Sequence, residues 1–331
     1  MRRTLVTGAL GQIGTELVPA LCERYAADLV IASDVRMRQM PPSEAGQPCS
    51  SASCQFEYID CTQPHQILEV VRRYDIGMVY HLAALLSAVA EERPQITWGV
   101  NMGGLWNVLE TARQYGCAVF FPSSIGAFGP STPRDDTPQT TIQRPTTMYG
   151  VTKVAGELLC DYYASRFSVD TRGLRLPGLI SYTAPPGGGT TDYAVEIFRQ
   201  AIKYRHYTCF LRGDTQLDMM YMPDAIRAMC ELMEADGDRL SNRNAFNISA
   251  MSITPDELAS AIAARLPGFE IDYDIDPSRQ AIADSWPRSI DDSAARTEWG
   301  WKPAFDLNAM CDDMIDKLST HARLPKTRRP E

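Results

Sequence analysis

The sequence predicts an α/β fold: a doubly wound parallel sheet followed by a smaller C-terminal α/β lobe. Three observations predict it. Short apolar runs alternate with helical periodicities through residues 1–180, as expected of strands buried on both faces and joined by crossover helices. The first apolar run passes through a glycine-spaced turn directly into a helix. Beyond residue 181 the alternation continues with shorter strands. The expected division is a sheet domain over 1–180 completed by later segments, a lobe over 181–320, and a disordered tail over 321–331. With 331 residues and 44% hydrophobic composition, the chain can build a large core.

Leu5-Val6 opens the first strand, followed by Thr7-Gly8-Ala9-Leu10-Gly11-Gln12-Ile13-Gly14. Ile13, Leu17, Val18, Leu21 and Cys22 then recur at helical spacing. Strand, glycine turn and helix make a Rossmann-type dinucleotide site. Gly8 permits the turn, Gly11 lets a pyrophosphate approach the backbone, and Gly14 lets helix and strand pack closely. The helix N-terminus favours the anion. The second strand, Leu29–Asp34, ends in a carboxylate about 20 residues on, where such an acid binds the adenosine ribose hydroxyls. A 2′-phosphate would meet like charge there, so NAD is expected rather than NADP. Arg36, which could serve a 2′-phosphate, is the counter-argument.

Met40 to Cys54 has no apolar period and reads as a long surface loop. Phe56–Asp60 is the third strand; Asp60 either approaches the adenine edge or caps the helix through Ile67 and Val71. Met78–Ala84 is a fourth strand running into small residues suited to close approach by a cofactor. His81 on it is a catalytic candidate or a hydrogen-bonded core histidine. Ser87 follows in a loop able to face a substrate. A helix spans Asn101 to Tyr115. The fifth strand, Cys117–Phe121, delivers Ser123 and Ser124 to a strand's C-terminal end, where open α/β sheets bind ligands.

A loop from Arg134 to Thr147 leads to Tyr149-Gly-Val-Thr-Lys153. On a helix, residues four apart share a face. A free tyrosine, with a pKa of about 10, is a poor base at neutral pH. A cation roughly 4 Å away at an effective dielectric of about 20 is worth on the order of 4 kcal/mol, or about three pKa units. Lys153 would thus bring the Tyr149 phenolate within reach of pH 7. A surface lysine beside a half-buried tyrosine would carry the same letters. The sixth strand, Arg172–Ile180, is interrupted at Pro177-Gly178. In Pro185–Asp192, Thr190 or Asp192 is a cap for the helix through Val195 and Phe198. Later come a strand at Cys209–Leu211, a helix from Pro223, a strand at Ala245–Ile248, a capping box at Thr254–Glu257, and a strand at Glu270–Tyr273.

A net charge of −9 offers no basic patch for nucleic acid or an anionic membrane. No apolar run reaches the ~18–20 residues of a membrane span. The first strand starts at Thr4, so no signal or transit segment is expected. Nine cysteines, an odd number without Cys-x-x-Cys, suit reduced thiols; a Cys49–Cys54 bridge is the alternative. Four scattered histidines give no metal-ligand spacing, and no metal is expected.

Thr7-Gly8-x-x-Gly11-x-x-Gly14, His81-Leu-Ala-Ala, Ser124, Tyr149-x-x-x-Lys153 and Met219–Ala225 together resemble the extended short-chain dehydrogenase/reductase family over nearly the whole chain. The resemblance implies a catalytic Ser124, Tyr149 and Lys153. It implies NAD held by Gly8, Gly11, Gln12, Ile13, Gly14, Asp34, Asp60, Leu82, Ala83, Ala84, Asn101, Tyr149, Lys153 and Leu176. The family's sugar-nucleotide enzymes usually carry an asparagine three residues after the sixth-strand arginine; here Arg175 is followed by Leu-Pro-Gly. The runs 122–129, 174–181, 186–193 and 285–292 instead resemble the family's L-threonine 3-dehydrogenases (UDP-galactose 4-epimerase-like type). That branch implies a threonine pocket of Ser87, Ser123, Ser124, Tyr149, Thr190 and Trp286. Trp286 reads equally as a core aromatic, and Arg144 as a loop latch or a solvated arginine. The implied reaction oxidises the threonine side-chain hydroxyl to 2-amino-3-oxobutyrate, which a lyase partner would consume. A homodimer through the Tyr149 helix is implied, in a soluble, reducing compartment: the mitochondrial matrix in a eukaryote, otherwise the cytoplasm. The alternatives are a sugar-nucleotide epimerase or dehydratase, and an NAD-binding sensor without turnover.

Overall fold

The computed structural model describes residues 2–37, 54–183 and 189–323. The first half runs β1 (Arg3–Thr7), α1 (Gly14–Tyr25), β2 (Val30–Asp34), β3 (Gln55–Tyr58), α2 (Pro64–Tyr74), β4 (Ile76–His81), α3 (Ser87–Glu92), α4 (Pro94–Trp98), α5 (Gly104–Tyr115), β5 (Ala118–Ser124), α6 (Met148–Phe167) and β6 (Thr171–Leu176). The second half runs β7 (Gly178–Ile180), α7 (Tyr193–Tyr204), β8 (His206–Cys209), β9 (Leu217–Tyr221), α8 (Met222–Glu234), β10 (Phe246–Asn247), β11 (Met251–Ile253), α9 (Pro255–Ala263), β12 (Glu270–Tyr273), α10 (Pro277–Asp284), α11 (Ser293–Trp299) and α12 (Leu307–Arg323).

The main sheet has seven strands in the order β10-β6-β5-β4-β1-β2-β3, and all its pairings are parallel. This is the expected Rossmann-type α/β fold. Its inner strands are continuous apolar runs because both faces are covered: Leu5, Val6, Val79, Tyr80, Val119 and Phe120 are fully buried. On one face, α2, α5 and α6 supply Ile67, Leu105, Val108, Cys160 and Tyr163. On the other, α1 and α8 supply Leu17, Leu21, Met229 and Leu232. Strand order reverses between β1 and β4, and ligands bind at the C-terminal ends of strands at such a switch point.

At Pro177 the chain leaves this sheet, since proline has no N–H to continue the ladder. β7 joins a three-stranded sheet, β11-β9-β7, and β8 pairs with β12. These strands carry the lobe's own core of Phe198, Leu217, Met219, Leu258 and Met314. The lobe is not contiguous, because β10 returns to pair with β6 in the main sheet.

Several boundaries moved. The strand expected at Cys209–Leu211 lies at His206–Cys209, where pairing with Glu270–Tyr273 fixes its register. The helix expected from Asn101 starts as a π-helical turn at Gly99–Gly103 before α5. The capping box formed: Thr254 and Glu257 satisfy each other's backbone N–H groups. Asp192 is the N-cap residue of α7, but its side chain makes no capping bond; Oδ2 accepts from Gly189 N at 2.7 Å. α12 continues to Arg323, three residues into the expected tail. The Met40–Ser53 part of the expected loop, Cys49 with its suggested bridge, Pro185–Gly188 and the Lys326–Pro330 run lie outside the described residues. Among the described residues, eight cysteines are free thiols, no helix is long and apolar enough to cross a membrane, and no cluster is placed to hold a metal ion.

Candidate active site

Two hollows meet at the switch point. The larger, about 790 Å³, is lined by Gly8, Gly11, Asp34, Arg36, Asp60 and the 82–86 loop after β4. Its glycines have different reasons to be there. Gly8 has φ +72°, and a Cβ on it would lie 2.8 Å from Ala83 N. A Cβ on Gly14 would lie 2.5 Å from Gly8 O. The fold itself forbids side chains at both. Gly11 is tolerated more easily, with its nearest neighbour at 3.1 Å, so its bareness serves the hollow. No side chain caps α1 at Ile13; Thr15 N and Glu16 N bond to Gly11 O and Ile13 O, which leaves Gly14 N at the helix start for an anion.

Asp34 is buried, which disfavours its charge, but hydrogen bonds from Arg36 and Leu10 hold its carboxyl below the usual range. Oδ2 accepts from Leu10 N at 3.0 Å; Oδ1 accepts from Arg36 N at 2.9 Å and Nε at 3.0 Å. Arg36 is thus pinned to the carboxylate that would bind a ribose diol, rather than held out for a 2′-phosphate. Asp60 does not cap α2, whose N-cap is Gln63; its Oδ1 accepts from Thr62 N and Oγ1 at 2.9 and 2.8 Å, on the wall of the hollow. This cleft, with bare backbone, a helix N-terminus without a side-chain cap and an ionised acceptor, fits a dinucleotide.

The smaller hollow, about 150 Å³, adjoins Gln12, Ile13, Leu82 and Ala84. Its wall includes Ser87, Ser124, Tyr149, Lys153, Leu176, Thr190, Asp192 and Trp286. Ser124 ends β5, and its Oγ accepts from Gly126 N at 3.1 Å. Tyr149 sits in the first turn of α6, which Thr147 caps through Gly150 N at 3.1 Å. A Cβ on Gly150 would lie 2.2 Å from Gly126 O, and one on Gly126 would lie 3.2 Å from the Tyr149 ring. These two glycines let the turn after β5 nest on the α6 terminus, bringing the Tyr149 and Ser124 hydroxyls within hydrogen-bonding reach. Sequence reasoning missed both, because their need is for tertiary approach.

Lys153 Nζ donates to Pro122 O at 2.6 Å and lies 5.3 Å from the Tyr149 ring centre and 4.9 Å from that of Phe121. Burial pushes Lys153 down to about 8, opposed by the charge of Glu157. Burial pushes Tyr149 up to about 12, opposed by the hydrogen bond with Ser124. The expectation that Lys153 alone brings the phenolate near neutrality is therefore corrected. The expectation counted the charge but not the loss of water around the phenol.

His81 is a core residue. Its Nδ1 lies 2.9 Å from Thr7 Oγ1, and burial next to the Lys153 charge pushes it down to about 3. Ser123 is on the wall of the smaller hollow, and its hydroxyl donates to buried Glu157. Asn101 braces the loop after β4: Leu85 N donates to its Oδ1 at 2.8 Å, and its Nδ2 donates to Leu85 O and Thr152 Oγ1, both at 3.1 Å. Trp286 is buried in the lobe core and also lines the cavity. Arg144 is exposed and lies off both linings. Asp192, at the N-cap position of α7, is also the carboxylate of the wall.

The model of the NAD dependent epimerase/dehydratase family matches residues 4–249. The chain belongs to that family. NAD is its cofactor. A relative from Staphylococcus saprophyticus, described as an uncharacterized epimerase/dehydratase, is 54% identical over 318 residues, 96% of this chain and 97% of its own. The structure is similar to L-threonine dehydrogenase from Clostridium difficile, with a TM-score of 0.92, 52% identity, and coverage of 97% of this chain and 98% of that one. It is also similar to a monomeric L-threonine 3-dehydrogenase from a metagenome, with a TM-score of 0.90, 46% identity, and coverage of 96% and 99%.

Proposed function

We propose that this family member is an NAD-dependent L-threonine 3-dehydrogenase, oxidising the side-chain hydroxyl to 2-amino-3-oxobutyrate. One observation carries the reading: the hollow beside Tyr149 is about 150 Å³ and has no arginine among its described lining residues. That space suits an amino acid. A sugar nucleotide would need several times the volume and cations for its pyrophosphate. The similarity to threonine dehydrogenases supports the same choice.

Ser124 orients the substrate hydroxyl, and Tyr149 takes its proton. The ammonium of Lys153 stabilises the phenolate that results. When bound, NAD supplies the hydride acceptor and a positive ring beside Tyr149. Because burial holds the free phenol near 12, Tyr149 becomes a base only as positive charge gathers round it, which ties proton removal to a filled site. Ser87 and Thr190, with Trp286 packed beside them, form the amino-acid side of the hollow. The product is a β-keto acid, which decarboxylates readily unless a lyase removes it.

The oligomer we propose is a homodimer through α5 and α6. Trp106, Leu158 and Tyr162 are 50%, 63% and 51% exposed on one face, an apolar patch of the kind that marks an interface. Since one similar enzyme is described as monomeric, light scattering of the wild type and Leu158→Glu decides it: a dimer that dissociates supports the proposal, a wild-type monomer ends it. For activity, NADH absorbance is followed with NAD and L-threonine beside D-threonine, L-serine and UDP-glucose. NADH from L-threonine is expected; silence with threonine and conversion of the UDP-sugar would move the chain to the epimerase branch.

A further inference from the structure

Below the triad lies a buried charge network that the reaction scheme does not use. Tyr149, Lys153 and Glu157 are successive i, i+4 positions on α6 and share a face. Glu157 is 3% exposed and Arg175, on β6, 7%. Arg175 Nη2 donates to Glu157 Oε2 at 2.9 Å, and Nε to Oε1 at 3.1 Å. Gln143 Nε2 donates to Oε2 at 2.8 Å, and Ser123 Oγ to Oε1. Arg175 continues to Gln139 O at 2.8 Å and Asn247 Oδ1 at 3.1 Å. A well-packed apolar pair in such a place is often as stable as a buried ion pair, so stability alone does not account for it.

The groups around Lys153 narrow the role. On α6 it faces Tyr149, Glu157 and Cys160; from β5, the Phe121 ring and the Pro122 carbonyl; from β4, His81. Burial keeps Tyr149, Cys160 and His81 uncharged at neutral pH. Arg175 stands behind Glu157 and carries the same sign as Lys153. Glu157 is the anion of the set.

Resting on the dehydrogenase reading, we propose that Glu157 is a positioning residue: clamped by Arg175 and Ser123, its carboxylate keeps Lys153 an ammonium beneath Tyr149. It also fastens α6 to the β5 end that carries Ser124. Ser123 then belongs to this clamp rather than to the substrate.

The chain has five lysines, so a ¹³Cε-lysine NMR titration, with Lys153 assigned by Lys153→Met, reads its charge directly. The variants are Glu157→Gln and, to avoid an orphaned guanidinium, Glu157→Gln with Arg175→Met. Expected is a Lys153 midpoint at least one pH unit below wild type in folded Glu157→Gln that still binds NAD, and a smaller drop in the double variant, which also loses the Arg175 charge. The alkaline limb of kcat/KM for L-threonine should move by the same amount, with about fivefold lower activity at pH 8 for a one-unit shift from about 8. Glu157→Asp should restore part of both. An unchanged midpoint in a folded variant overturns the proposal. A shifted midpoint in a protein whose wild type makes no NADH from L-threonine upholds the link to Lys153 and overturns the substrate reading instead.

Discussion

The cofactor cleft and the reaction hollow adjoin, yet they are made differently. One side of the cleft is mostly backbone: two glycines the fold requires, one left bare, an uncapped helix start and the Asp34 carboxylate, all within residues 8–34. The hollow is mostly side chains gathered from Ser87, Ser124, Tyr149, Thr190 and Trp286, which only the tertiary fold brings together. A site of backbone binds by shape and tolerates little change of volume. A site of side chains can lose its chemistry and keep its shape.

Tyr149→Phe tests that difference most severely. It should lower kcat by about 10²–10⁴-fold, the usual size of a general-base loss, while NAD binding, read by fluorescence titration, stays within about twofold of wild type. Loss of both together would mean that the two regions are not separable. In the cleft the order reverses. Gly14→Val should abolish soluble, folded protein, since even a Cβ there meets Gly8 O at 2.5 Å. Gly11→Ala should fold with a near-native melting curve and lose about tenfold or more in NAD affinity. Equal damage from the two substitutions would refute the separate roles given to these glycines.

A subtler contrast lies in the substrate. L-serine lacks one methyl group, worth about 1–3 kcal/mol in a fitted pocket, so its kcat/KM should fall by about 10–200-fold below that of L-threonine. An equal rate would mean that the hollow does not grip the methyl.

The smallest effect concerns Asp218, buried on β9 of the lobe. Burial pushes the Asp218 carboxyl up to about 8, against hydrogen bonds from Ser249, Ile290 N and Ala250 N, and Asp292 adds to the rise. The folded chain therefore holds a proton that the unfolded chain releases near pH 4. Its contribution to stability is full below that pH and is lost as pH rises towards 8. Asp218→Asn should flatten this slope and raise the melting temperature at pH 8 by a few degrees, with little change at pH 4. An unaltered slope in calorimetry would show that Asp218 is ionised in the fold.

Legibility followed the same division. The glycine turn, Asp34 and the Tyr149–Lys153 pair stand in short, ordered spacings, and local periodicity was enough to place them. Ser123 and Ser124 both reach the hollow's wall, but the letters do not show that the Ser123 hydroxyl is taken by Glu157. The need for Gly126 and Gly150 arises between segments and leaves no local pattern. Asp192 read as a helix cap, because a carboxylate before an apolar period is the usual sign of one. Charge on Lys153 was visible in the letters; the burial that lifts Tyr149 was not.

The return of β10 to the main sheet changes what kind of object the lobe is. Phe246 and Asn247 close the edge of β6, and Asn247 also ties Arg175 to Thr137 and Asp291 through its amide. A chain stopped after residue 180 would leave that edge open and strip α8 from the face of the sheet. The lobe is therefore a detour inside one cooperative unit, and the two halves should melt as one.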